Sequence, residues 1–306
     1  MGTPDFAVPS LKSLIDKEYE VTAVITQPDR PTGRGRKLAA SPVKMTALEY
    51  GIDVLQPEKV SDDSFCGIIK EKRADLLIVV AFGQILRKNM LESTRWGAVN
   101  IHASLLPRYR GAAPIQRVIL NNESVTGLTL MCMDEGLDSG PVIFQKSLSV
   151  ESEETAGQLH DRLAFMAGDF LIESLNAMAG KKVSMIPQND SMASYAAKID
   201  RAMALINWNM DAESVSALIR GLDPWPGAYT KLKGRDLKLF SSVVVKEMSS
   251  RERPGKVFSD DSGRFLVHTG NGVIEVKEMQ YAGKKRLFSK DFIRGLNLSE
   301  EVVLGS

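Results

Sequence analysis

Short apolar runs alternate with amphipathic stretches of helical period through the first half of this chain, and that alternation restricts the fold more than any other feature of its 306 residues. Strands joined by crossover helices lie side by side in one sheet with helices on its faces, so the pattern predicts an α/β unit with a Rossmann-like, mostly parallel sheet. Val21–Thr26, Leu76–Ala81 and Leu128–Met131 read as strands buried on both faces. Pro42–Tyr50 and Asp62–Arg73 read as helices between them. A longer helix is expected from Thr155, where Leu159, Leu163, Met166 and Phe170 recur at helical spacing and Thr155 with Gln158 makes a capping box; it should stop at Gly180. Lys181–Arg201 is polar and mixed, and reads as a linker between a catalytic domain at 1–180 and a second domain at 202–306. There, after a short helix at Ala212–Arg220, the segments Tyr229–Leu232, Leu237–Lys246, Gly255–Phe258, Phe265–Thr269 and Val273–Met279 alternate with Gly, Asp and Asn turns, predicting a small OB-like β-barrel.

The opening is unusual for such a sheet. Gly2-Thr3-Pro4-Asp5-Phe6 reads as the loop after a first strand and Phe6–Ile15 as the helix that follows, yet only Met1 precedes them. The first strand is usually central, and without it Val21–Thr26 and Leu76–Ala81 would flank a gap with unpaired backbone groups. The expectation is a sheet whose first strand is absent, with a natural start upstream of Met1.

Total charge excludes little, since 39 Lys and Arg face 38 Asp and Glu, but its distribution is uneven. Residues 1–200 carry 22 basic and 25 acidic side chains, whereas 201–306 carry 17 and 13. The basic excess is densest from Gly227 to Arg294 and includes the run Lys284, Lys285, Arg286. A second cluster, Arg30, Arg34, Arg36, Lys37 and Lys44, has no acid between its ends. Each patch alone reads as a solvated face; two on one chain raise a polyanion partner as an alternative. Two cysteines, Cys66 and Cys132, make no disulfide framework, and three histidines leave little for a metal, so a reducing compartment and no metal are expected. No apolar run reaches the roughly 18 residues of a membrane span, and Asp5, Asp16, Glu18 and Glu20 are unlike a targeting segment. The expectation is a cytoplasmic chain with no membrane partner and nothing that demands more than a monomer.

Chemistry concentrates in Ala98–His102 and the residues after it. On a strand, Val99 and Ile101 face one side while Asn100 and His102 face the other, so two polar side chains project together from an apolar element. A lone histidine there is more often a satisfied core group than a catalyst. With an amide beside it, the pair becomes a candidate grip for a developing oxyanion. Ser104-Leu105-Leu106-Pro107 then turns the chain away. Thirty-six residues after His102, Asp138 sits in a loop flanked by Gly136 and Gly140, where an acid either caps a turn or reaches His102 to hold its tautomer.

Asn100-x-His102, the Ser104–Pro107 signature and Asp134-x-Gly136-Leu137-Asp138-Ser139-Gly140 closely resemble the catalytic set of the 10-formyltetrahydrofolate-dependent formyltransferases. Gly2-Thr3-Pro4-Asp5-Phe6, Gln27-Pro28-Asp29-Arg30-Pro31-x-Gly33-Arg34-Gly35 and Gln280-x-Ala282-Gly283-Lys284-Lys285 narrow the resemblance to members whose acceptor is methionyl initiator tRNA. Asp223-Pro224-Trp225-Pro226-Gly227-Ala228 resembles their passage into the carboxy-terminal domain, so the likeness spans Gly2–Leu298. It implies the formyltransferase fold and a formyl group transferase using 10-formyltetrahydrofolate as co-substrate, with neither a metal nor a covalent enzyme intermediate. It implies Asn100 and His102 at the oxyanion, Asp138 orienting His102 and handling protons, and Ser104, Leu105, Leu106 and Pro107 as the folate loop. It also implies that Arg34, Arg36 and Lys37 enter the acceptor stem while the barrel, with Lys284 and Lys285, grips the outer tRNA.

Three rivals compete. A formyltransferase or hydrolase acting on a small acceptor would share Asn100, His102 and Asp138 but would need neither basic patch. A dinucleotide-dependent dehydrogenase is disfavoured because no strand leads into a Gly-x-Gly-x-x-Gly turn. A non-catalytic RNA-binding protein would leave the polar triad idle.

Overall fold

The computed structural model describes residues 1–32, 37–180, 183–246, 248–250, 252–295 and 302–305. In chain order its elements begin with α1 (Val8–Asp16), β1 (Val24–Ile25), β2 (Arg30–Thr32), β3 (Lys37–Ala39), α2 (Pro42–Glu49), β4 (Val54–Leu55), α3 (Asp63–Glu71), β5 (Leu77–Val80), α4 (Lys88–Leu91) and β6 (Ala98–His102). They continue with α5 (Pro114–Leu120), β7 (Val125–Cys132), β8 (Val142–Ser149), α6 (Ala156–Gly180) and α7 (Ala212–Gly221). The last are β9 (Tyr229–Leu232), β10 (Arg235–Val244), β11 (Val257–Phe258), β12 (Leu266–His268), β13 (Val273–Tyr281), β14 (Leu287–Phe288) and α8 (Ser289–Ile293). Two compact units form from interleaved segments: Met1–Ala112, Val125–Ser149 and His160–Ala196 make the first, and Ala113–Ser124, Val150–Leu159 and Ala197–Ser306 the second. Among the described residues no helix is long and apolar enough to cross a membrane.

The first unit is built on a mixed sheet. β5 and β6 are parallel, whereas β6, β7 and β8 pair antiparallel. The parallel expectation holds for β5–β6 and gives way from β6 onward: β7 runs antiparallel to β6 although α5 intervenes, and one loop joins β7 directly to β8. β1 pairs with β4 in parallel for two rungs. Between β1 and β5 lie Met1 and Gly2. The Met1 amine donates to Ile78 O at 2.6 Å, Val80 N donates to Met1 O, and Gly2 N donates to Ile25 O at 3.0 Å. These two residues supply one rung between β1 and β5, and the strand expected at Val21–Thr26 is confined to Val24–Ile25. Gly2 fits this place because a Cβ would stand 2.7 Å from that of Ala7 and 2.9 Å from Val80 O. Ile25, Phe65, Ile69, Leu77, Val79, Phe82, Leu86 and Met90 pack into one apolar cluster. Each fully buried side chain of that size contributes about 1.5–3 kcal/mol.

The second unit carries an antiparallel sheet in the order β11-β12-β13-β10-β9, with β14 on β13. Residues 302–305 bond to both edges: Val257 N donates to Val302 O, Leu304 N to Gly255 O, and Gly305 N to Lys231 O. Edge groups that would otherwise be exposed are satisfied in this way, which closes the sheet on itself. Its interior holds Leu237, Leu239, Phe265, Val267, Ile274, Val276 and Met279. The capping box read at Thr155 is present, with Thr155 N donating to Gln158 Oε1 and Gln158 N to Thr155 Oγ1.

Candidate active site

β6 pairs with β5 on one side and β7 on the other, and both neighbours hold its register, with Asn100 opposite Val79 and Met131 and His102 opposite Thr129. Alternation therefore sends Asn100 and His102 to the same face at the carboxyl end of a strand, where open α/β sheets bind ligands. Both are nearly sealed, at 8% and 6% exposure. The Asn100 carboxamide makes no side-chain hydrogen bond among the described residues, and it is not one of the fully sealed unpaired groups, so its polar atoms keep an opening to solvent. Among the described residues its hydrogen-bonding capacity is left for a group from outside.

The imidazole is fixed by two loops. Its Nε2 lies 2.8 Å from Tyr109 O, and a carbonyl can only accept, so Nε2 carries a proton. Nδ1 then faces Asp138 Oδ2 at 3.6 Å, the carboxylate being mostly buried. A proton on Nδ1 turns this approach into an ion pair; without it two lone pairs face each other. Tyr109 and Asp138 both sit in the left-handed region, at φ 61° and 51°. Two such residues cost about 1–2 kcal/mol each, and here the conformation aims a carbonyl and a carboxylate at one ring. Gly111, at φ 113° with Ala196 O only 3.1 Å from where a Cβ would stand, donates its N–H to Asp138 Oδ2 at 2.8 Å.

Ser104, Leu105, Leu106 and Pro107 form a tightly tied turn. Ser104 Oγ donates to Arg108 O at 2.6 Å, and Thr129 Oγ1 donates to Ser104 O and accepts from Leu106 N. Gln145 Nε2 closes the set on Leu106 O at 2.8 Å. Ser104 and Leu106 are buried, while Leu105 and Pro107 are partly exposed. Tyr109, Gly111, Arg110, Thr129 and Gln188 complete the surroundings, and sequence reasoning gave none of them a role. Arg110 lies only three residues beyond the Ser104–Pro107 signature. Gln188 lay in the polar stretch read as a linker, whose Ile186 in fact bonds to Val142 and whose Ser194 donates to Pro107 O.

The basic groups are dispersed. Gly33, Arg34, Gly35 and Arg36 lie outside the described residues, as does the Lys37 side chain; their flanks pair as the antiparallel hairpin β2–β3. Lys44 is committed at the base of that hairpin, 2.7 Å from Asp29 and 2.8 Å from Gln56 Oε1. The Lys44 ammonium, followed by Gln56, holds the Asp29 carboxyl below its ordinary range. In the second unit Lys284 and Lys285 are exposed, whereas Arg286 pairs with Asp223 at 3.0 Å and with Glu278.

Comparison with known proteins gives a consistent picture. Residues 1–175 match the formyl transferase family and residues 198–297 the formyl transferase C-terminal domain. The chain is 44% identical over 305 residues to a methionyl-tRNA formyltransferase of Alkaliphilus metalliredigens (strain QYMF), covering 100% of this chain and 97% of the relative. One from Geobacter metallireducens (strain ATCC 53774 / DSM 7210 / GS-15) is also 44% identical, with 100% and 97% covered. Among solved structures, WlaRD, a sugar 3N-formyl transferase in the presence of dTDP and 5-N-formyl-THF, shares the fold at a TM-score of 0.68 and 21% identity, covering 93% of this chain and 97% of that one.

Proposed function

The chain belongs to the formyl transferase family, and from that premise we propose that it moves the formyl group of 10-formyltetrahydrofolate onto the α-amine of methionine carried by initiator tRNA. The names and full-length similarity of the relatives support the acceptor. The observation that carries the chemistry is the Asn100 carboxamide, without a side-chain hydrogen bond among the described residues, on the same strand face as an imidazole held by Tyr109 and Asp138. A carbonyl oxygen is the partner it fits. The folate supplies the formyl group; the amine N–C bond forms, the C–N10 bond breaks, and one proton leaves the amine while one is needed at N10.

Asn100 donates its amide N–H to the formyl oxygen as negative charge develops there. His102, with Nε2–H fixed on Tyr109 O, exchanges its second proton at Nδ1. Asp138 faces the same nitrogen, so the pair accepts the proton from the amine and returns one to the leaving nitrogen, directly or through water. Ser104–Pro107 is the folate loop, its backbone held rigid by Thr129 and Gln145. We assign catalysis to residues 1–180 and tRNA contact to 202–306, aided by Arg34, Arg36 and Lys37, with Lys284 and Lys285 on phosphates.

The test supplies the protein with 10-formyltetrahydrofolate and, separately, methionyl initiator tRNA, methionyl elongator tRNA and an amino-sugar nucleotide. Formyl transfer to the initiator species alone is expected. Transfer to the sugar nucleotide, or release of formate without an acceptor, would replace this reading with a small-acceptor transferase or a hydrolase.

A further inference from the structure

One side chain outside the triad joins both loops that hold it. Arg110 is a guanidinium at 3% exposure, and burying such a charge requires well-placed partners. Its Nε and Nη2 donate to Gln188 Oε1 at 3.0 and 2.8 Å, and Nη2 also reaches Asp190 at 2.8 Å. The amide of Gln188 is thereby oriented, since only its nitrogen remains to donate. That nitrogen donates to Asp138 O at 2.9 Å and to Gly140 O at 2.8 Å. Two backbone carbonyls on either side of Ser139 are thus pinned, and the first belongs to Asp138, whose left-handed φ the rest of the loop must sustain. The same strand of chain that carries Arg110 carries Gly111, whose N–H meets the Asp138 carboxylate. From this arrangement we infer that Gln188 is a positioning residue: locked by Arg110, it sets the backbone of Asp138 and so the approach of that carboxylate to His102. The inference rests on the proposed formyl transfer reaction.

Gln188→Glu tests it without emptying the site. A glutamate keeps both acceptor contacts to Arg110, strengthening that pair, but presents an oxygen to two carbonyls that need a donor. Displacement of the reacting geometry by about 1 Å costs roughly 10²-fold in rate, so kcat is expected to fall about 10- to 100-fold. KM for folate and for tRNA should stay within about threefold because substrate contacts survive, and the melting temperature should fall by no more than a few degrees, since two lost hydrogen bonds are set against a strengthened Arg110 pair. In an Asp138→Asn background, Gln188→Glu should cost less than about threefold more, since a residue acting through Asp138 has nothing left to position. Gln188→Met, which removes donor and acceptor together, should show the same non-additivity. Unchanged kcat, a loss shared with KM and stability, or a full additional loss in the Asp138→Asn background each overturns the inference. Asp190→Ala, which removes the exposed partner of Arg110, should cost less than about threefold; a loss equal to that of Gln188→Glu would assign the effect to the charge balance of Arg110 instead. No transfer by the unaltered protein overturns the reading of the reaction itself, and the positioning role with it.

Discussion

The loops around His102 and the run Lys284-Lys285-Arg286 both gather polar groups, but they use them in opposite ways. Around His102, Ser104, Arg110, Thr129, Gln145 and Gln188 each hold a fixed partner at 3.1 Å or less, and most of this set is buried. In the run, two ammonium groups stand exposed and only Arg286 is tied down. Buried donors act through position, because in a low-dielectric site a misaligned hydrogen bond is lost in full. Exposed cations act through charge, which water and salt screen within about 10 Å at 0.1 M. Substitutions in the first region should therefore change a rate sharply with little salt dependence, and those in the second should change affinity gently with much.

The largest effect belongs to the coupled pair. His102→Ala and Asp138→Asn should each lower single-turnover formyl transfer by about 10²- to 10⁴-fold, the range of a general acid–base group, while folate and tRNA binding stay within a few-fold. Rates equal to the unaltered protein in either variant would break the contrast at its strongest point. Asn100→Ala follows, with a loss of roughly 10²- to 10³-fold expected for removing one oxyanion donor. Repeating that measurement between low and moderate salt should leave the ratio unchanged; a ratio that narrows with salt would place Asn100 among the screened groups.

Much of this contrast was legible in the sequence. The alternation of Ala98–His102 put Asn100 and His102 on one face because a strand has period two, whatever surrounds it. Pairing Asp138 with His102 was one of two readings the residues left open, and the resemblance chose between them; the 3.6 Å approach goes with a left-handed Asp138 and with Gly111, which periodicity does not encode. Gln188 was invisible for a physical reason. A polar stretch with Pro187, Asn189 and serines has the composition of a solvated linker, and only the fold shows that one of its amides is half-buried between two loops. Arg286 shows the reverse error of composition: a run of three cations looks uniform until one of them finds buried Asp223. Nothing in the sequence pattern foretold that Met1 and Gly2 would bond between β1 and β5.

Burial also gives the second unit a pH dependence. The His268 imidazole is held below its ordinary 6.5 by burial. The unfolded chain therefore takes up a proton before the folded one does, so stability is full above about pH 6.5 and falls as the pH drops below it. Urea unfolding from about pH 5 to 8, read by amide exchange in β13, should show this slope, and His268→Gln should flatten it; an unchanged slope would assign the effect elsewhere.

The basic run allows the contrast to be drawn between neighbours. Arg286 stacks over Phe240 at 4.1 Å and pairs with Asp223, a carboxylate at 4% exposure that also accepts from Ser241 N. Arg286→Ala leaves that carboxylate buried with its charge partner gone. Breaking a fully buried pair costs about 3–5 kcal/mol, and because the arginine is partly exposed roughly 2 kcal/mol is expected here, read as lowered stability of the second unit. Lys284→Ala and Lys285→Ala have no such burden and should leave the melting temperature unchanged. If each neutralises a phosphate, removing it should weaken tRNA binding a few-fold and reduce the slope of log affinity against log salt by about one. Side chains one position apart would then report through different measurements. Loss of stability in the lysine variants, or loss of salt slope in Arg286→Ala without loss of stability, would show that burial does not separate structural from electrostatic cations in this run.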